Sequence, residues 1–127
     1  MSPLQNYAWQ FIGIPYVWGG NDTAAGGMDC SGFALELLRF AGIWSHRQGD
    51  ASAQDIYNYL LTSPHKRGQG KLLFFGQSTS TITHVALEWA DPSQMIEAGG
   101  GGPTGKKGMI RIRPKSWRKD LVAEVLI

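Results

Sequence analysis

Apolar positions in this chain follow two periods, one in each half. In the first half they recur every three to four residues; in the second they alternate or gather in short runs. In "SPLQNYAWQFIG" the residues Leu4, Tyr7, Ala8 and Phe11 share one helical face. Ser2 is placed to cap this helix, Pro3 suits its first turn, Gln5 completes a capping box and Gly13 stops it. A glycine- and aromatic-rich loop, "IPYVWGGNDTAAGG", follows. After Cys30, "SGFALELLRFAG" carries the strongest helical pattern, with Ala34, Leu37, Leu38 and Ala41 on one face and Gly42 as its stop. With Asp29 as N-cap, Cys30 becomes the first helical residue. A third, shorter helix is predicted in "ASAQDIYNYLLTSP", from a cap at Ser52 to a break at Ser63-Pro64.

The second half reads differently. "KLLFF", "ITHVALEWA", "SQMIEA", "MIRIRP" and "LVAEVLI" are bounded by Gly, Pro, Asp and Ser, the pattern of strands. Helices first and strands after predict an α+β domain with helices on one face of an antiparallel sheet. "AGGGGPTGKKG" is a flexible loop, too short to link domains, and no internal repeat is present. With 127 residues, 43% of them hydrophobic, the expectation is one domain over 1–127, burying roughly two-thirds of its unfolded surface.

Composition narrows the possibilities. A single cysteine excludes a disulfide scaffold and a four-cysteine zinc site. No apolar run approaches the ~18 residues of a membrane span. "MSPLQNYAWQ" lacks a signal-peptide pattern, so the chain is expected to be made in the cytoplasm and to act there or leave by another route. Net charge is only +2, yet Lys106, Lys107, Arg111, Arg113, Lys115, Arg118 and Lys119 hold seven of the twelve basic residues. Such a cluster either guards an edge strand against aggregation or attracts an anionic polymer. No nucleic-acid motif accompanies it, and nucleic acid is not an expected partner.

The lone thiol is the first candidate for chemistry. At a helix N-terminus, Cys30 would face unpaired backbone N–H groups and the positive end of the dipole. Both favour the thiolate, which is the nucleophile, and the same N–H groups can hold an oxyanion. The alternative is a small buried hydrophobe. Among the histidines, His46 and His65 lie in loop-like stretches. His84 instead interrupts a strand: Val85, Leu87 and Trp89 mark the core face, so His84, Ala86 and Glu88 point the other way. That position suits either a solvated histidine or a base facing the thiol. Glu97 follows thirteen residues later, across a turn at "DPSQ". In a hairpin with an even-length loop, this odd separation puts His84 and Glu97 on one face. Glu97 is then either an exposed carboxylate or the group that orients the imidazole.

In order and spacing, "PYVWGG", "MDCSGF", "KLLFFG", "ITHVALEW" and "MIEAGG" resemble the NlpC/P60 family of cysteine peptidases, from the first helix through Gly102. The resemblance implies a papain-like catalytic arrangement, with the cysteine at a helix N-terminus. It implies Cys30 as nucleophile, His84 as general base and acid, and Glu97 at the third, orienting position. Tyr16 matches a tyrosine whose hydroxyl helps the Cys30 N–H hold the oxyanion. Asp29 matches the acid that pairs with a substrate's free amino group, with Ser31 lining the same pocket and Trp18 shaping the groove or packing in the core. Two positions depart from the family pattern. The third catalytic residue is more often His, Asn or Gln than Glu; a carboxylate would stabilise imidazolium and raise the histidine pKa. Lys71 replaces the Asp that usually precedes the first strand, which puts that turn in question.

The function implied is peptidoglycan-degrading cysteine endopeptidase of the γ-D-glutamyl-diaminopimelate type, with stem peptides as substrate and no metal or organic cofactor. A compact catalytic unit of this kind suits a phage lysin, a phage tail component or an effector injected by secretion machinery. The alternatives are an acyl transferase or amidase on this scaffold and a non-catalytic tail module.

Overall fold

The computed structural model describes residues 1–17, 21–22, 27–100 and 108–127. Among these residues three α-helices and seven strands follow the order α1 (Pro3–Trp9), β1 (Asn21–Asp22), β2 (Gly27–Met28), α2 (Cys30–Phe40), α3 (Ala53–Thr62), β3 (Lys71–Gly76), β4 (Ile82–Glu88), β5 (Gln94–Gly99), β6 (Met109–Pro114) and β7 (Leu121–Leu126). The strand pair β1–β2 forms a ribbon of its own. The other five strands make an antiparallel sheet in the order β6-β5-β4-β3-β7.

The helix starts follow their caps. Ser2 and Gln5 form the capping box of α1, with Pro3 in its first turn. This helix stops at Trp9, earlier than its periodicity suggests. Phe11 continues the apolar stripe in a following turn, and the Gly13 N–H donates to the Ile110 carbonyl of β6 at 2.9 Å. The segment therefore ends by joining the sheet. Asp29 caps α2, and Ser52 caps α3 with Asp55 completing a second box.

One face of the sheet, with Leu72, Phe74, Val85, Leu87, Ile96, Ala98 and Ile110, packs on helix residues such as Leu4, Phe33, Leu37, Leu38, Ile56 and Leu60. The other face is covered as well. Leu73, Phe75, Ala86 and Met95 are buried there as a second cluster, and each large side chain so buried contributes roughly 1.5–3 kcal/mol. The cover comes from the 114–120 connection. It joins β6 to β7, which are opposite edges of the sheet, so it must cross the sheet. Arg118 lies over the Phe75 ring at 5.3 Å, and Lys115 binds Glu88. Lys71, at the start of β3, joins the same network with Glu88 at 3.7 Å and Glu124 at 3.5 Å. The strand thus begins in order despite the departure at that position.

No helix of the described residues is long and apolar enough to cross a membrane.

Candidate active site

The site is assembled where the N-terminus of α2 meets the start of β4. Asp29 Oδ1 accepts the Gly32 N–H at 2.7 Å and the Ser31 hydroxyl at 3.2 Å, which sets the first turn of α2. Cys30 is therefore the first helical residue, half-buried, with Sγ 4.0 Å from the Thr83 carbonyl oxygen of β4. The next residue on that strand is His84.

His84 and Glu97 are the buried polar pair of the sheet, 5% and 2% exposed. His84 Nε2 lies 3.1 Å from Glu97 Oε1. The β4–β5 register pairs Leu87 with Ile96 and Glu88 with Met95. Continued along the strands, it sets Glu97 one diagonal step from His84 on the same face, within side-chain reach. Burial by itself would lower the His84 pKa. Hydrogen bonds and negative charge from Cys30 and Glu97 outweigh it, raising the value from 6.5 to about 9. With Nε2 on the carboxylate, Nδ1 is the ring nitrogen left for a further partner. The Phe75 ring flanks the imidazole, with centroids 5.6 Å apart.

Tyr16 is held by its backbone N–H, which donates to the Gly108 carbonyl at 2.9 Å, and by a bridge to Met28. Its hydroxyl pKa is pushed up to about 12, first by burial and then by negative charge at Cys30 and Asp29. It stays a neutral donor beside the thiol at every pH of interest.

All these residues open into one cleft of about 820 Å³ that includes Tyr16, Asp29, Cys30, Ser31, His84 and Glu97. Six of the seven site residues read from the sequence thus meet in one place, and Trp18 lies outside the described residues. The cleft also takes Ser52, Thr83, Arg111, Arg113, Trp117 and Arg118, which the sequence reading did not assign to it. The alternation Ile110-Arg111-Ile112-Arg113 was the available signal. With the isoleucines in the core, the arginines share the face of Glu97. Among the described residues no three His, Cys, Asp or Glu side chains gather as a metal site requires.

A thiol at a helix N-terminus, an imidazole on the adjoining sheet and a carboxylate behind it define a papain-like arrangement on an α+β fold. The NlpC/P60 family profile matches residues 13–124, and the chain belongs to that family. It is 33% identical over 90 residues to a γ-D-glutamyl-L-lysine dipeptidyl-peptidase of Bacillus cereus, covering 69% of this chain and 26% of that protein. It is 35% identical over 109 residues to Protein P54 of Enterococcus faecium, covering 82% and 19%. A third relative, the peptidoglycan endopeptidase RipA of Mycolicibacterium smegmatis, is 35% identical over 98 residues, covering 68% and 18%. The chain thus spans about a quarter or less of each of these proteins. Among solved structures, the NlpC/p60 domain of the peptidoglycan hydrolase SagA superposes with a TM-score of 0.58 at 29% identity, covering 94% of this chain and 95% of that one.

Proposed function

We propose that the chain is a cysteine peptidase of peptidoglycan, acting at the cell wall and cutting stem peptides at the γ-D-glutamyl bond to the third residue. The observation that carries this reading is the buried His84–Glu97 pair beside Cys30. A binding module gains nothing from an imidazole kept charged beside a thiol. Membership of the NlpC/P60 family and the names of its relatives supply the substrate class.

In this mechanism Cys30 thiolate attacks the amide carbonyl carbon. The carbonyl oxygen becomes an oxyanion that the Cys30 N–H and the Tyr16 hydroxyl stabilise as donors. As the C–N bond breaks, His84 imidazolium gives its proton to the departing amine, leaving a thioester on Cys30. Neutral His84 then takes a proton from water, the hydroxide adds to the thioester carbon, and the C–S bond breaks to release the acid and restore Cys30 thiolate beside His84 imidazolium. Glu97 holds the ring in position through both steps and stabilises its charged form. In this reading Asp29 receives a free amino group on the acyl side of the substrate, with Ser31 beside it.

Iodoacetamide tests the catalytic part of the proposal without a substrate. Cys30 should alkylate rapidly near neutral pH, and His84→Ala should slow the reaction about tenfold or more by removing the ion-pair partner. Equal, slow rates in the two proteins would favour a non-catalytic module.

A further inference from the structure

The β6 side of the cleft is cationic, and the mechanism above leaves that charge unused. Arg111 stands directly across from Glu97, and Arg113 from Met95. Both guanidiniums lean over the end of β5. A side chain begun at Gly100 would meet Arg111 Nη2 at 2.8 Å and Arg113 Nη2 at 3.6 Å.

Arg118 provides the contrast. It grips Asp120 with two hydrogen bonds, at 2.9 and 2.8 Å. Arg111 and Arg113 make no such ion pair among the described residues. Arg111 Nε is also shut off from solvent and finds no acceptor there. Two converging guanidiniums repel each other, and a guanidinium N–H shut off from water without an acceptor is costly. Arg113 is nevertheless kept in place by stacking on the Trp117 ring at 4.5 Å. A planar anion between the two would remove the repulsion and accept paired N–H donors.

We propose that Arg111 and Arg113 form a carboxylate-binding subsite of the cleft, which selects stem peptides by a free carboxylate. The cleft then has a polarity, with Asp29 near the thiol for an amine and the arginine pair on the β6 side for an acid. The inference rests on the peptidoglycan reading for its substrate. In such a stem the carboxylate belongs either to the D-glutamyl residue or to the diaminopimelate that follows it.

The test compares wild type with Arg111→Gln/Arg113→Gln, its fold checked by thermal melting, on three peptides. These are L-alanyl-γ-D-glutamyl-diaminopimelate with its chain-terminal carboxyl amidated, the same amidated peptide with D-isoglutamine for D-glutamate, and the same with L-lysine for diaminopimelate. On the first, the double variant should raise KM about tenfold or more and leave kcat within about twofold, as loss of a charge-assisted pair requires. The penalty should vanish on whichever analogue lacks the carboxylate the arginines bind. Vanishing with D-isoglutamine assigns the D-glutamyl group; vanishing with lysine assigns diaminopimelate. A second readout needs no substrate: the ratio of Cys30 alkylation rates with iodoacetate and iodoacetamide should fall about threefold or more in the double variant. If that ratio falls while wild type cuts none of the peptides, the anion subsite stands and the peptidoglycan reading fails. An equal penalty on all three peptides, or an unchanged alkylation ratio, overturns the subsite.

Discussion

Gly99 has no room for a side chain because Glu97 occupies it. A Cβ there would stand against Glu97 Oε2, closer than the 3.0 Å that real Cβ atoms keep from their neighbours. Gly99→Ala should therefore swing the carboxylate away from His84 and lower the melting temperature as that buried pair is lost. It should lower kcat/KM on a stem peptide about tenfold or more, since small displacements of an orienting group are expensive in rate. The charge on His84 makes a second prediction. Its pKa is raised above 6.5 to about 9, so its ion pairs contribute stability that is complete below about 6.5 and fades as pH climbs through 9. The thiolate–imidazolium form is lost over the same window, and kcat/KM should fall on the alkaline side near pH 9. Glu97→Gln removes one of the charges that raise the pKa, so this limb should move to lower pH. A pH–rate profile of the two proteins checks it; an unmoved limb would detach Glu97 from the imidazole. At this scale the pairing was legible in the sequence, because a separation of thirteen residues across a hairpin dictates a shared face whatever the even loop length. The burial of the pair was not legible, since alternation tells which face a residue takes but not what covers that face.

Among the elements, α2 begins at the cleft, which Cys30 and Ser31 line. Asp29 both caps this helix, through Gly32 at 2.7 Å, and faces the cleft. The two roles separate by substitution. Asn caps about as well as Asp, so Asp29→Asn should keep the wild-type melting temperature and raise KM about tenfold for stems with a free amino group. Asp29→Ala should add a loss of about 1 kcal/mol in stability, read by denaturant unfolding. If both variants melt alike and bind alike, Asp29 has neither role. The helices and the five-stranded sheet were readable because caps, stops and periods agreed, with Ser2, Asp29 and Ser52 each at a helix start. The ribbon β1–β2 was not readable. Two residues per strand inside a glycine-rich loop offer no period, and their pairing depends on contacts the local sequence does not encode. The early end of α1 has a similar cause, since the turn after Trp9 is shaped by the bond from Gly13 to β6.

Across the whole molecule, the decisive feature is the order β6-β5-β4-β3-β7. Two strands adjacent in sequence occupy opposite edges, so the basic segment between them is drawn across the face that holds His84 and Glu97. The reading of that segment as an edge-strand guard accounts for β6, which is an edge. It does not account for Arg118 over Phe75, or for Arg111 and Arg113 in the cleft. Strand periodicity cannot supply sheet order, and without the order a cluster of basic residues looks like surface. With it, the helices, sheet and crossover converge on one thiol. The most direct test is digestion of purified diaminopimelate-type peptidoglycan by wild type and by Cys30→Ala, with the released fragments weighed by mass spectrometry. The expected result is fragments ending at the γ-D-glutamyl bond, from wild type alone. Intact and trimmed stems left untouched by both proteins, or the same fragments from both, would contradict a Cys30 peptidase of the cell wall.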